Sequence, residues 1–260
     1  MEGALKPPVV IIGIGEMAGV FARGLLRLGH PVYPVTRQSG DLATLARDIT
    51  DPAMVLVAVG EADVPTILEA MPEPWRNRVA LLQNELLPGD FSALPEPTVI
   101  SVWFEKKKGQ DARVIIPSPV FGPRADLLIE ALAQLDIPAR RLADPEDLLF
   151  ELVVKNLYIL VSNIAGLKTG GTVGTLWADH EAFARDVAAD VIALQEGLTG
   201  ATFDHERLIR AMLEAFEGDP DHKCMGRSAP QRLTRALAHA DQLGLDVPTL
   251  RAIARETGDA

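Results

Sequence analysis

A glycine motif directly after an apolar strand pattern constrains this chain more than any other feature of its sequence. Val9 to Ile12 is a β-branched run typical of a buried strand, and a G-x-G-x-x-A motif follows it and opens a helical pattern. The first glycine of such a motif permits a tight turn, the second lets the backbone approach a pyrophosphate, and the alanine lets the helix pack on the strand. Amide N–H groups at the helix N-terminus favour an anion there. The motif predicts a dinucleotide-binding loop, and the alternative is a glycine turn that holds no ligand. The residues of the predicted loop are Gly13, Ile14, Gly15, Glu16, Met17 and Ala18.

Apolar strand patterns alternate with helical patterns through the first half of the chain. This rhythm predicts a mostly parallel sheet with helices on both faces. Two later runs, at 113–116 and 118–121, suggest an antiparallel extension, and a helix is expected over 125–135. The earlier elements are a helix at 17–28 and strands at 31–36, 54–59, 79–83 and 98–103.

The second half of the chain reads as helical. Asp144-Pro145-Glu146-Asp147 marks a break and a helix start. We therefore predict an α/β protein with an N-terminal Rossmann-type doubly wound sheet, residues 1–145, and an all-helical C-terminal domain, residues 146–260. The expected helices are 148–167, 180–198, 206–217, 229–243 and 249–256.

The residues after the second strand pattern bear on the choice of dinucleotide. An NAD site usually has Asp or Glu there to bind the ribose 2′-OH. This chain has Thr36-Arg37-Gln38-Ser39, and a guanidinium with hydroxyl neighbours suits a 2′-phosphate instead. The sequence thus predicts NADP(H) as the cofactor, bound through Thr36 and Arg37, unless Arg37 is an ordinary solvated side chain.

Charge and composition exclude several other classes of partner. The formal net charge is -11, which repels polyanions. We therefore do not expect nucleic acid or a membrane surface as a partner. The single cysteine, Cys224, cannot form an intramolecular disulfide, and no Cys/His cluster has metal-ligand spacing. The first residues lack the features of a signal peptide, and the apolar run Leu157 to Val161 is far shorter than the roughly 20 residues of a membrane span. We expect a cytoplasmic protein without a metal.

Several segments together resemble the ketopantoate reductase (2-dehydropantoate 2-reductase) family over nearly the whole chain. The resemblance implies an NADPH-binding Rossmann domain, a helical domain that supplies much of the substrate site, and reduction of a small 2-oxo acid to a 2-hydroxy acid. The segments are the glycine motif, Arg37, Leu81-Leu82-Gln83-Asn84, Ser118 to Pro123, the helix that carries Lys155, and Gly244 to Pro248.

Lys155 is the candidate proton donor. An ammonium group beside the carbonyl stabilises the alkoxide that forms during reduction and can protonate it. At about 100° per residue, Glu151 and Ser162 lie close to the direction of Lys155, with Asn156 and Asn163 to one side, so the helix has one polar stripe. The alternatives are an ordinary ion pair of Lys155 with Glu151 or a lysine that extends from the edge of a buried helix.

Four further residues are candidates for binding the substrate. Asn84 ends a strand, at the edge where open α/β sheets bind ligands, and its amide could bind the substrate or the nicotinamide-side ribose; the alternative is a loop-capping amide. The resemblance implies that Asn163 and the loop residues Arg227 and Ser228 also meet the substrate. Glu85 stands where the family usually has Gly.

The chain departs from the family in its substrate-recognition residues. Gly60 to Asp63 stands where a lysine is usual, Gly226 to Pro230 holds no acid, and a slip of one helical turn would put Glu151 in place of Lys155. The substrate is therefore left open among oxo acids, imines and other carbonyl compounds. The alternative function is a non-catalytic NADP(H)-binding sensor or regulatory protein. The run Leu157 to Val161 would serve a core or a homodimer interface.

Overall fold

The structure, a computed structural model, describes residues 6–258 of the chain. These residues divide into two compact units, the first ending at Glu151 and the second beginning at Leu152. The division falls inside a long helix, so this helix contributes residues to both units.

The first unit consists of β-strands that alternate with helices. Its strands are β1 (Val9–Ile12), β2 (Val32–Val35), β3 (Met54–Val57), β4 (Val79–Leu81), β5 (Thr98–Ile100), β6 (Phe104–Glu105), β7 (Arg113–Val114), β8 (Ser118–Phe121) and β9 (Ala139–Arg141). Its helices are α1 (Glu16–Arg27), α2 (Leu42–Asp48), α3 (Val64–Glu69), α4 (Ala125–Ala133) and the beginning of α5 (Pro145–Thr169), with short 3-10 helices at Glu61–Asp63, Glu73–Arg78 and Pro88–Phe91.

The main sheet has the strand order β2-β1-β3-β4-β5-β8-β9. Strands β1 to β5 are parallel, β8 runs antiparallel to β5, and β9 is parallel to β8. The chain moves outward from β1 to β2 and then returns to the other side of β1 as β3. The carboxyl ends of β1 and β3 therefore form a topological switch point, where open α/β sheets bind ligands.

The core of the first unit explains why its central strands are continuously apolar. Every residue of β1 and β3 is buried, because helices cover both faces of a parallel sheet. Helix α1 inserts Phe21 and Leu25 into this core, and burial of each stabilises the fold by about 1.5–3 kcal/mol. Gly24 of α1 lies so close to α4 that a Cβ there would stand 2.1 Å from the carbonyl oxygen of Ala131. The first helix is thereby fixed against both the sheet and α4.

The second unit is helical in its described residues. Its helices are the remainder of α5, α6 (Val173–Thr199), α7 (His205–Gly218), α8 (Ala229–Leu243) and α9 (Pro248–Thr257). Thr172 and Thr175 form a reciprocal capping box that begins α6, and Gly200 ends it in the left-handed conformation at φ 68°.

A buried carboxylate begins the last helix. Asp190 of α6 accepts hydrogen bonds from the backbone N–H groups of Thr249 (2.7 Å) and Leu250 (3.0 Å), in the first turn of α9. Burial raises the pKa of Asp190 above its ordinary value despite these two bonds. Asp190 of α6 therefore caps the N-terminus of α9, which stabilises the packing of the two helices.

Helix α5 combines length with an apolar sequence. By length and composition it could cross a membrane, with a mean hydropathy of 1.6 over its most apolar window, of which 83% is buried inside the structure. Such burial is typical of a core helix, as the sequence predicted for the run Leu157 to Val161.

The predicted fold class is confirmed: a mostly parallel sheet with helices precedes a helical region. Other expectations need correction. Strand β7 pairs with β6 in a separate two-stranded sheet, whereas an extension of the main sheet was expected. Helix α6 begins at Val173 and not at 180, because the Thr172 cap starts it earlier and the departure of His180 from helical geometry (φ -136°) masks the period. Helices α2 and α3 and strand β9 were not predicted, since they are too short for a clear hydrophobic period.

Candidate functional site

The loop between β1 and α1 begins with a glycine that no other residue can replace without strain. Gly13 has φ +101°, and its N–H donates to the carbonyl oxygen of Val35 at 2.8 Å. A Cβ at this position would lie 2.5 Å from the carbonyl oxygen of Ala58, well inside van der Waals contact. Gly13 thus lets the loop turn sharply across the ends of β1 and β3, as the motif predicted.

The second glycine of the loop faces open space. Gly15 is the N-cap of α1, and a Cβ built there would meet no atom within 4 Å. No side chain of the described residues caps this helix N-terminus. The first turn of α1 therefore offers backbone N–H groups beside an open volume, an arrangement that suits an anion.

The remaining residues of the predicted loop have different surroundings. Ala18 is buried in the core between α1 and the sheet, and Met17 packs against the same core. Ile14 is 68% exposed, which is unusual for so large an apolar side chain. The carboxylate of Glu16 pairs with the Nζ of Lys106 at 3.3 Å. This pairing offsets a negative charge that would otherwise oppose an anion at the helix N-terminus.

The turn after β2 carries the predicted 2′-phosphate residues. The hydroxyl of Ser39 accepts a hydrogen bond from the N–H of Thr36 (2.9 Å), and Oγ1 of Thr36 accepts one from the N–H of Gln38 (3.2 Å). These bonds fix the turn and leave the side chain of Arg37 89% exposed. Its Nη2 donates to Oδ2 of Asp63, which follows β3, at 3.2 Å. The structure thus brings Arg37 to the same sheet edge as the glycine loop, in contact with a carboxylate that the sequence analysis did not connect with it.

The segment after β4 reaches this edge through a buried amide. Nε2 of Gln83 donates to the carbonyl oxygens of Val57 (2.8 Å) and Val59 (3.3 Å), which ties the segment to the end of β3. Asn84 follows as a half-buried residue in a turn, and Glu85 after it has a positive φ of 59°. Asn84 therefore lies at the carboxyl edge of the sheet, where the sequence expected it.

In the second unit, Lys155 is buried beside the ring of Tyr158. It is only 8% exposed, and its Nζ lies 5.6 Å from the centroid of the Tyr158 ring. The Tyr158 ring in turn lies 5.9 Å from the ring of His222, whose Nδ1 is 3.9 Å from Oδ2 of Asp219. A cation next to an aromatic face is stabilised without a full hydration shell. Sequence reasoning missed Tyr158 and His222, because their proximity depends on how the loop after α7 returns to α5.

About two turns beyond Lys155 along α5, Asn163 is held by an arginine of α8. Oδ1 of Asn163 accepts a hydrogen bond from Nη1 of Arg232 at 3.0 Å, and its Nδ2 lies 3.4 Å from Oγ of Ser162. Asn156 instead donates to Oε1 of Gln195 on α6 at 2.9 Å. Two polar residues of α5 therefore bond to different helices, Asn156 to α6 and Asn163 to α8.

Arg227 and Ser228 lie on the loop that precedes α8, and both are exposed. Arg232, one helical turn later, is the side chain that meets Asn163. The signal that could have identified it is position: a residue in the first turn of α8 is turned back toward the element packed beside that helix end.

Cys224 takes no part in this chemistry. Its side chain is buried against Gly166, and burial raises the pKa of its thiol to about 11. The thiol is therefore protonated at neutral pH and is a poor nucleophile.

Compared with known proteins, the sequence matches no family model and no curated protein. Solved structures match over nearly the whole chain. The 2-dehydropantoate 2-reductase from Methylococcus capsulatus is similar with a TM-score of 0.70 and 14% identity, covering 96% of both chains. The PanE/ApbA family ketopantoate reductase from Ralstonia eutropha JMP134 has a TM-score of 0.63 and 18% identity, covering 96% of this chain and 97% of that one. A D-mandelate dehydrogenase solved with NADH and anilino(oxo)acetate has a TM-score of 0.67 and 10% identity, with the same coverage. The chain thus has the fold of the ketopantoate reductases, and the resemblance inferred from its sequence is confirmed at that level.

Proposed function

We propose that this protein is an NADPH-dependent reductase of a small 2-oxo acid or a related carbonyl or imine compound. The first unit binds the dinucleotide, and the helical unit supplies the proton donor and much of the substrate recognition. The observation that carries the proposal is the glycine loop at the switch point of the sheet, with an open helix N-terminus on one side and Arg37 on the other.

The residues of the first unit fit a nicotinamide dinucleotide. A pyrophosphate that rests on the first turn of α1 would take the open space at Gly15. The exposed side chain of Ile14 would cover apolar parts of the ligand, and the amide of Asn84 would bind the nicotinamide-side ribose or the substrate. Thr36 and Arg37 would hold the 2′-phosphate, which is the reason for proposing NADP(H) over NAD(H).

The chemistry of the helical unit depends on Lys155. The reduced dinucleotide, when bound, supplies a hydride to the carbonyl carbon of the substrate. The carbonyl oxygen then takes a proton from Nζ of Lys155, and the lysine regains one from solvent. Before the transfer, the ammonium group stabilises the negative charge that develops on this oxygen. Because Lys155 is buried beside Tyr158, its charge acts where water screens it little.

The substrate class is proposed from charge and from the similar structures. Lys155 and Arg232 are cations that suit the carboxylate of an oxo acid. Two of the similar structures are named for the reduction of 2-dehydropantoate, and the third was solved with an oxo acid, anilino(oxo)acetate. The net charge of -11 argues against nucleic acid or an anionic membrane as a partner, and we expect a small-molecule substrate.

The experiment is a screen of 2-oxo acids, other carbonyls and imines, in which oxidation of NADPH is followed by absorbance. Lys155→Ala is expected to lower kcat by about a hundred- to ten-thousand-fold, the usual contribution of a positioned proton donor. Lys168→Ala is the matched control, because Lys168 lies on the same helix but is exposed and pairs with Glu256 at 2.8 Å. The control variant should turn over like the unchanged protein.

The outcomes separate the proposal from its alternative. Unimpaired turnover in Lys155→Ala would remove this lysine from the mechanism. NADPH binding without turnover on any compound of the panel would favour a non-catalytic sensor. The absence of binding to either nicotinamide dinucleotide would overturn the proposed function altogether.

A further inference from the structure

The carboxylate of Asp63 contacts Arg37, the residue that we propose holds the 2′-phosphate of the dinucleotide. We infer that Asp63 is a specificity-determining residue, which competes with this phosphate for Arg37 and so narrows the preference for NADPH over NADH. The inference rests on the proposed function, because it takes the first unit to be a nicotinamide dinucleotide site. It adds that the dissociation constants of NADPH and NADH at this site differ by only a modest factor.

The first step is the orientation of Asp63. It immediately precedes α3, at the position where an aspartate commonly caps a helix, yet its side chain makes no capping hydrogen bond. Its Oδ2 instead accepts from Nη2 of Arg37 at 3.2 Å. Because the carboxylate does not hold the helix end, a role in fixing α3 does not account for its direction.

The second step is the distance between the two anions. A phosphate that accepts a hydrogen bond from the same guanidinium would lie within about 6–7 Å of Asp63, since two bonds of about 3 Å then meet at one group. The Arg37 side chain is 89% exposed and Asp63 is 52% exposed, so neither is fixed by packing and a phosphate can displace the carboxylate.

The third step is the size of the effect. A phosphate monoester carries a charge of about -1.5 to -2 near neutral pH, whereas the 2′-hydroxyl of NADH carries none. At about 6 Å in water, removal of one opposing charge is expected to strengthen binding of the phosphate about five- to tenfold at low ionic strength. NADH would gain little, because it has no charge at this position.

The experiment measures dissociation constants of NADPH and NADH by calorimetric titration, with no substrate present. Asp63→Asn keeps the size of the side chain and removes its charge. We expect it to lower the Kd of NADPH about five- to tenfold and to leave that of NADH within about twofold. The gain should shrink as salt is raised from about 0.01 M to about 1 M, where the Debye length falls from about 30 Å to about 3 Å.

The matched control is Asp126→Asn. Asp126 forms an exposed ion pair with Arg141 in the same unit, at 2.5 Å, so this variant removes the same net charge away from Arg37. It is expected to leave the NADPH to NADH ratio unchanged. A third variant, Arg37→Gln, should bind the two nucleotides almost alike.

The outcomes test the role of Asp63 separately from the proposed dinucleotide site. A larger NADPH preference in Asp63→Asn, without one in Asp126→Asn, supports the role of Asp63. An unchanged ratio, or an equal gain for both nucleotides, overturns it while leaving the proposed function intact. If the unchanged protein binds neither nucleotide, the proposed function fails and this inference fails with it. Thermal unfolding of the three variants checks that each is folded.

Discussion

The glycine loop of the first unit and the polar residues around Lys155 in the second unit are specified by the sequence in different ways. The loop is one contiguous segment, and Gly13, Gly15 and Ala18 have the surroundings that the motif predicted. The polar residues of the second unit come from separate elements: Lys155, Tyr158 and Asn163 from α5, His222 from the loop after α7, and Arg232 from α8.

The two regions differ because the first depends on local backbone conformation and the second on contacts between side chains of separate elements. The loop depends on backbone conformation, which neighbouring residues determine, so a short motif describes it. The second region depends on side chains that meet only after helices pack, and helix packing is set by many weak contacts. A motif is thus a good guide to the first region, and only the structure identifies partners such as Arg232 in the second.

The largest expected effect tests whether the two glycines have separate roles. Gly13→Ala should lower the free energy of unfolding by about 3 kcal/mol, because alanine is strained at φ +101° and its Cβ would overlap the carbonyl oxygen of Ala58. Gly15→Ala should change it by only a few tenths of a kcal/mol, since its Cβ meets open space. Denaturant unfolding measures both.

Nucleotide binding supplies the other half of this comparison. The Cβ of Gly15→Ala would enter the volume proposed for the pyrophosphate, so the Kd of NADPH should rise at least about tenfold, or about 1.4 kcal/mol. A Gly15→Ala variant that is folded and binds NADPH normally would contradict the proposed position of the pyrophosphate. Equal stability losses in the two variants would contradict the separation of their roles.

An intermediate effect tests whether Arg232 or Arg227 contributes to the polar contacts of the second unit. Arg232→Met should lower the free energy of unfolding by about 1–2 kcal/mol, because the buried Oδ1 of Asn163 loses a charged donor at 3.0 Å. Arg227→Met is the control, and a change within about 0.5 kcal/mol is expected because Arg227 is exposed. A larger loss of stability in Arg227→Met than in Arg232→Met would instead favour Arg227, the residue that the sequence indicated.

Particular residues show how far prediction from sequence reached. The strands β1 and β3 and the direction of the sheet follow from continuous apolar runs, which only a sheet covered on both faces requires. Asn84 and Arg37 were placed correctly at the carboxyl edge of the sheet, because this edge is fixed by strand order. The contact of Arg37 with Asp63 was not foreseen, since residues 26 positions apart meet there only because β3 returns beside β1.

The smallest expected effect concerns a non-glycine residue of the first unit that has a positive φ. Glu85 adopts a left-handed conformation at φ 59°, which costs a non-glycine residue about 1–2 kcal/mol. Glu85→Gly removes this cost but gives the unfolded chain more freedom, so we expect a net gain in stability of about 0.5–1 kcal/mol. Asp136→Gly is the control, since Asp136 also has a positive φ, of 57°, but aspartate tolerates this region better and should gain less. A loss of stability in Glu85→Gly would mean that contacts of the glutamate side chain and the added freedom of the unfolded chain together outweigh the relief of backbone strain.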